Sequence, residues 1–349
     1  MPVPRRVAVP ALVGLALAFA AGCASTAPTA SSSTRAAPAT GPATAAAPTL
    51  ATPVAAPTTT PGLRVTPLPV TLPTTVSRLV ALPAGDRILL LGGLDAGTTT
   101  TAAILSVSPS TGTVTTVGHL AQATHDAGGA VLGGRAVVIG GGISASTSAV
   151  QAVALTGGAA SISGRLPQAR SDDAVASDAT TAYVVGGYTG STALPEILAT
   201  TDGASFHVVG RLALTVRYPA VVVVGSTLWV FGGEHLGTAT DAIQRVDLTT
   251  GTTVVAGHLP GPLAHAGATV LDGTVLVIGG TDGHVHQGTI YRFDPATVTL
   301  TAAGALPVPV SDMAVAVLAD GAYIVGGETA DVGGTVTSVG TITRLQLAR

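Results

Sequence analysis

The sequence predicts an all-β fold, a β-propeller of six four-stranded sheets closed into a ring, and three observations predict it. First, an apolar run ending in Gly-Gly occurs six times, as LLLGG, VVIGG, YVVGG, WVFGG, LVIGG and YIVGG, with first glycines at Gly92, Gly140, Gly186, Gly232, Gly279 and Gly326. The separations of 48, 46, 46, 47 and 47 residues mark one repeated supersecondary unit. Second, each period holds four short runs of β-formers bounded by Gly, Asp or Pro turns, with no helical periodicity between copies. Third, the last repeat is one strand short, and a spare strand stands ahead of the first.

The chain begins with export elements. Arg5 and Arg6 precede VAVPALVGLALAFA, an apolar stretch of 14 residues. A bilayer span needs ~20 apolar residues, so residues 1–22 read as a cleavable signal peptide. The junction Ala20-Ala21-Gly22-Cys23 resembles the lipobox of bacterial lipoproteins, with Ala20 where that pattern leads with Leu. The resemblance implies cleavage before Cys23 and lipidation of Cys23. The protein would then sit at the outer face of the cytoplasmic membrane or in the cell envelope. Cys23 is the only cysteine, so it has no intramolecular disulfide to make. Residues 23–61 are almost wholly Ala, Thr, Pro and Ser, a composition that cannot bury enough apolar area to offset its ordering entropy. This segment is expected to be a disordered, extended tether.

Residues 62–349 carry the repeats. Twenty positions before each glycine pair stands a leucine: Leu72, Leu120, Leu166, Leu212, Leu259 and Leu306, followed by proline in four copies. Three positions before the pair stands a large apolar residue: Leu89, Val137, Tyr183, Trp229, Leu276 or Tyr323. Two Val/Ala-rich runs separated by a turn lie between the leucine and the glycines, as in AGATVLDGTVLVIGG. Two more follow, as in GTIYRFDPATVTLTAAG, with turns such as SPSTGT, LTGGA, TTDGA and DLTTGT at the DPAT position. After Gly327 only TITRLQLA reads as a strand, whereas GLRVTPLPV precedes Leu72 where other repeats have their fourth. The N-terminal segment is therefore expected to complete the sixth sheet and remove its open edge.

The six Gly-Gly strands and six leucines resemble the kelch-repeat family from about residue 63 to the C-terminus. The family's Trp after the third-strand turn is absent here; Val114, Phe206, Val254 or Leu300 occupies that neighbourhood. The resemblance implies a propeller whose binding surface is the mouth of the central channel.

Composition narrows the function. All fifteen cationic side chains are Arg, so a Walker phosphate loop and lysine Schiff-base chemistry are excluded. No helix follows any glycine pair, which removes the context of a dinucleotide cradle. A formal net charge of −3 offers no footprint for nucleic acid.

Fourteen positions before each glycine pair stand Arg78, Asp126, Asp172, Tyr218, His265 and Asp312, unlike polar groups at one repeated position in a chain only 9% charged. In kelch domains the resembling positions line the channel mouth. Arg170 and Arg217 lie close by in sequence, and Tyr188 and Glu234 follow their glycine pairs onto the same rim. Tyrosines beside carboxylates and arginines suit an extracellular glycan, peptide or protein partner. No cofactor is expected. His284 and His286 would share one side of an extended loop, with His235 as a further metal-ligand candidate.

A non-catalytic binding module is the leading expectation; the alternative is a cell-envelope enzyme on the same scaffold. The kelch resemblance extends to copper-radical oxidases and to bacterial sugar epimerases. The oxidase needs a Cys–Tyr crosslink, and Cys23 lies outside the repeats. An epimerase needs a positioned acid/base pair, with His265 and Asp312 or Arg217 and Glu234 as nominees.

Overall fold

The computed structural model describes residues 62–96, 98–330 and 334–348; the leader, Cys23 and the tether lie outside the described residues. Among the described residues every regular element is a β-strand. The strands form six antiparallel meanders, here numbered one to six. Sheet five runs from its inner to its outer strand as Gly267–Leu271, Thr274–Ile278, Thr289–Asp294 and Thr299–Ala305. The strand ending at each Gly-Gly is apolar at nearly every position because neighbouring sheets cover both its faces. In Arg87–Leu91, Thr227–Phe231 and Thr274–Ile278 only the first residue escapes burial. Outer strands such as Thr113–His119 are largely exposed.

The sixth sheet closes as expected. Its strands are Ala314–Leu318, Gly321–Val325, Thr341–Leu347 and, outermost, Leu63–Thr71, with Leu63 opposite Leu347 and Thr66 opposite Arg344. Apolar side chains form six clusters, one in each sheet–sheet interface. Val137 and Ile139 of sheet two meet Val184 and Leu198 of sheet three. Tyr323 and Val325 of sheet six meet Ile88 and Leu90 of sheet one. The ring is therefore continuous.

The glycine pairs fasten this ring. Each first glycine has φ between 58° and 70°. A Cβ there would stand no more than 2.6 Å from a carbonyl oxygen of the next sheet: Thr124, Arg170, Val216, Leu263, Val310 and, for the last, Val76. The N–H of each second glycine donates to that same carbonyl at 2.8–3.2 Å. Only a residue without a side chain permits the approach.

One turn differs from expectation. Within LTGGA, Gly158–Ala159 pairs in parallel with Gly118 and His119, adding a fifth strand to sheet one. Gly118 allows this, because a Cβ there would collide with the Gly158 backbone.

Candidate functional site

The six residues expected at the mouth are joined through their own backbones. The N–H of Arg78 donates to the Asp312 carbonyl, Asp126 to Arg78, Asp172 to Asp126, Tyr218 to Asp172, His265 to Tyr218 and Asp312 to His265, all at 2.8–3.2 Å. The result is a closed hydrogen-bonded hexagon, one residue per sheet. All six have φ between 52° and 59°. Non-glycine residues avoid this left-handed region, Asp and His least strongly, so the hexagon holds backbone strain at the channel entrance. The residue before each ring member pairs with the one after the glycines, as in Ser171 with Tyr188, Arg217 with Glu234 and Ser311 with Glu328. That pairing puts both positions on the same rim.

Side chains extend the ring into a charge network. Arg78 donates from Nε to Glu328 at 3.0 Å and from Nη1 to Asp126 at 3.4 Å, and lies 3.8 Å from Asp312. Arg217 donates from Nε to Glu234 at 2.7 Å and from Nη1 to Asp172 at 3.4 Å. Its guanidinium carbon sits 5.0 Å from the centre of the Tyr188 ring and 5.4 Å from that of Tyr218, both within cation–π range. Tyr218 stacks on His265 at 3.9 Å between centroids and reaches across the mouth to Asp126, with its hydroxyl 3.4 Å from the carboxylate. His265 engages Asp312 through Nδ1 at 2.6 Å and Glu234 through Nε2 at 3.2 Å. Both pairs nominated for acid–base work are thus formed as ion pairs.

These contacts displace the titrations. Burial pushes the Asp126 carboxyl up to about 7, with Asp172 and Asp312 adding to the rise against Arg78. Burial alone would lower His265, but its bonds to Asp312 and Glu234 prevail and raise it to about 9. The His265 hydrogen bond is the main cause holding Glu234 below its ordinary value. Burial works to raise Asp312, yet the same histidine keeps it low. Beside the ring, burial lifts Asp173 to about 8.

A pH dependence follows. Asp126, Asp173 and His265 have folded values raised above their ordinary 3.8, 3.8 and 6.5. Their contribution to stability is therefore complete below those ordinary values and lost as pH rises through about 7, 8 and 9. Glu234 and Asp312, held low, lose their contribution only as pH falls below the carboxylate range. Melting curves are expected to show greatest stability near pH 4–5 and a melting temperature lower by about 5–10 °C at pH 9. A flat profile between pH 5 and 9 would contradict the network.

The structure gathers Arg78, Asp126, Asp172, Tyr188, Arg217, Tyr218, Glu234, His265 and Asp312 at the mouth, and adds Glu328. Arg170 does not join them. It is 2% exposed inside the sheet two–three interface, where Nη1 donates to the Gly186 carbonyl at 2.9 Å. The metal candidates are not drawn together either. The Asp282 carboxylate accepts the N–H groups of His284 and Val285 at 2.8 and 2.7 Å, so this stretch turns and is not the extended loop that a shared side requires. His235 turns Nδ1 onto the Thr215 carbonyl at 2.8 Å. Among the described residues no group of three or more His, Cys, Asp or Glu is placed to hold a metal ion.

Comparison with known proteins agrees with the architecture. The Kelch motif matches residues 262–297, which contain most of sheet five. A solved structure described as "Structure of YjhT" superposes with a TM-score of 0.66 at 15% identity, covering 80% of this chain and 99% of its own. At that identity the likeness shows the fold alone. No curated protein matches the chain.

Proposed function

We propose that this six-bladed kelch-type propeller is a recognition module that binds a glycan, peptide or protein partner across its mouth, carried at the cell envelope on a lipidated Cys23. One observation supports the reading: the charged groups of the mouth hold one another on a fixed backbone ring. A surface ordered before contact spends little entropy on binding. The same pairing weakens a catalytic reading, because His265 has both nitrogens engaged and a general base needs a free one.

The charge balance narrows the partner. Arg78, Arg217 and protonated His265 stand against Asp126, Asp172, Glu234, Asp312 and Glu328. Acids are in excess, which disfavours a polyanion and leaves neutral glycans and uncharged or basic protein faces. Arg78 and Arg217, with side chains 26% and 30% exposed, are the reachable donors.

The test is an array of neutral glycans and peptides probed with the full chain and with Tyr188→Ala. Tyr188 lies against the Arg217 guanidinium without belonging to the backbone hexagon. Its loss is expected to weaken capture about tenfold while the melting temperature moves by less than about 2 °C. Unchanged capture would place the partner elsewhere. A second reading, an acid–base enzyme such as a sugar epimerase, draws on Asp126 titrating at about 7 beside the Tyr218 hydroxyl. It requires a sugar turnover, followed by NMR, that Asp126→Asn abolishes while binding persists.

A further inference from the structure

Two buried glutamines show what a third position lacks. Gln151 of sheet two and Gln244 of sheet four occupy one register position, opposite Val138 and Val230, and are 1% and 0% exposed. Each carboxamide makes two reciprocal bonds with the loop that leads into its sheet. Gln151 donates to the Gln122 carbonyl at 2.9 Å and accepts the Gln122 N–H at 2.8 Å. Gln244 does the same with Leu214 at 2.8 and 2.9 Å. The loop residue is in both cases the second after the repeat's leucine.

In sheet one the register position holds Leu105, opposite Leu90, and the loop residue is Thr74, the second after Leu72. Leucine can make neither bond. The Thr74 N–H and carbonyl find no hydrogen-bond partner among the described residues. An open crevice of about 350 Å³ lies between the loop and the sheet, lined by Pro73, Thr74, Val76, Leu105 and Thr116. Sheet five repeats the pattern: with Tyr291 in the register position, a crevice of about 240 Å³ opens against the loop at Gly261.

We propose that the sheet-one crevice binds a primary carboxamide on a short apolar stem, the group that sheets two and four supply from their own chains. A primary carboxamide presents a donor and an acceptor side by side, matching the N–H and carbonyl of one residue. A carboxylate has no donor, and a trans secondary amide points the two apart. Apolar walls accept the stem. The crevice shares Leu79 with the mouth but none of the six ring residues.

The test titrates the full chain with butyramide and follows the Thr74 backbone amide by NMR, with butyrate and N-methylbutyramide as controls. A Thr74 shift with butyramide, at least tenfold weaker with either control, is the expected result. N-acetylglutamine methylamide separates the sources: a response to both amides assigns the crevice to glutamine side chains, a response to butyramide alone to free small carboxamides. Leu105→Gln should fill the crevice from within, abolish the response and raise the melting temperature by about 2–4 °C. No Thr74 response to butyramide, an equal response to butyrate, or a response that persists in Leu105→Gln would overturn the proposal.

Discussion

Removal of the chain through Thr71 is expected to destroy the folded ring, not merely shorten it. Leu63–Thr71 is the outer strand of sheet six, although nearly the whole domain separates it in sequence from its partner Thr341–Leu347. Leu63 and Val65 pack against the sheet five–six cluster, and Leu68 and Val70 against the sheet six–one cluster. The deletion therefore thins two interfaces at once. It also bares the edge of Thr341–Leu347, and an unpaired edge templates association with other chains. The expected outcome is loss of a cooperative melt, or a fall of more than about 10 °C, with aggregates on size exclusion. A soluble truncated chain that melts normally would mean that something other than this strand closes the ring.

The fold was legible because a repeat shows each position six times. A lone Gly-Gly permits many readings, whereas six at one spacing, each with a leucine twenty residues before it, permit few. The strand deficit at one end and the surplus at the other disclosed the closure. The mouth was legible in outline for the same reason, since six unlike polar residues in one column stand out where core positions are apolar.

Other features were harder to read. The backbone hexagon has no side-chain signature, because the left-handed conformation is imposed by the ring and taken even by Arg78 and Tyr218. Arg170 was misplaced because its neighbour in the sequence, Asp172, is a mouth residue. The corrective signal lay in its own column, sixteen positions before the glycine pair, where the other repeats carry Val76, Thr124, Val216, Leu263 and Val310, all buried. The histidine loop turns where an extended one was needed to align its imidazoles, because Asp282 acts as a local backbone cap.

The same column comparison yields the second large effect, which concerns Arg170 and Asp173 together. Where Asp173 stands, the other repeats have Leu79, Ala127, Pro219, Ala266 and Met313. Sheet three has thus placed ionisable groups of opposite sign at two positions that are apolar in the sister sheets, Thr124 excepted. They attract but do not touch: Arg170 Nε and both Asp173 carboxylate oxygens are buried without a hydrogen-bond partner. Asp173→Leu leaves the Arg170 guanidinium without its counter-charge once the pH exceeds about 8, and is expected to cost about 3–5 kcal/mol there. Arg170→Leu is milder below pH 8, since Asp173, already pushed up to about 8, stays neutral there; its cost should grow as the pH passes that value. Making both changes removes the desolvation penalty and restores what the sister sheets carry, so the double variant is expected to be as stable as the parent or up to about 4 kcal/mol more stable. Denaturant midpoints at pH 6 and pH 9 decide the matter. If the cost of the double variant equals the sum of the two single costs, the two charges act independently and the pair is not the unit described.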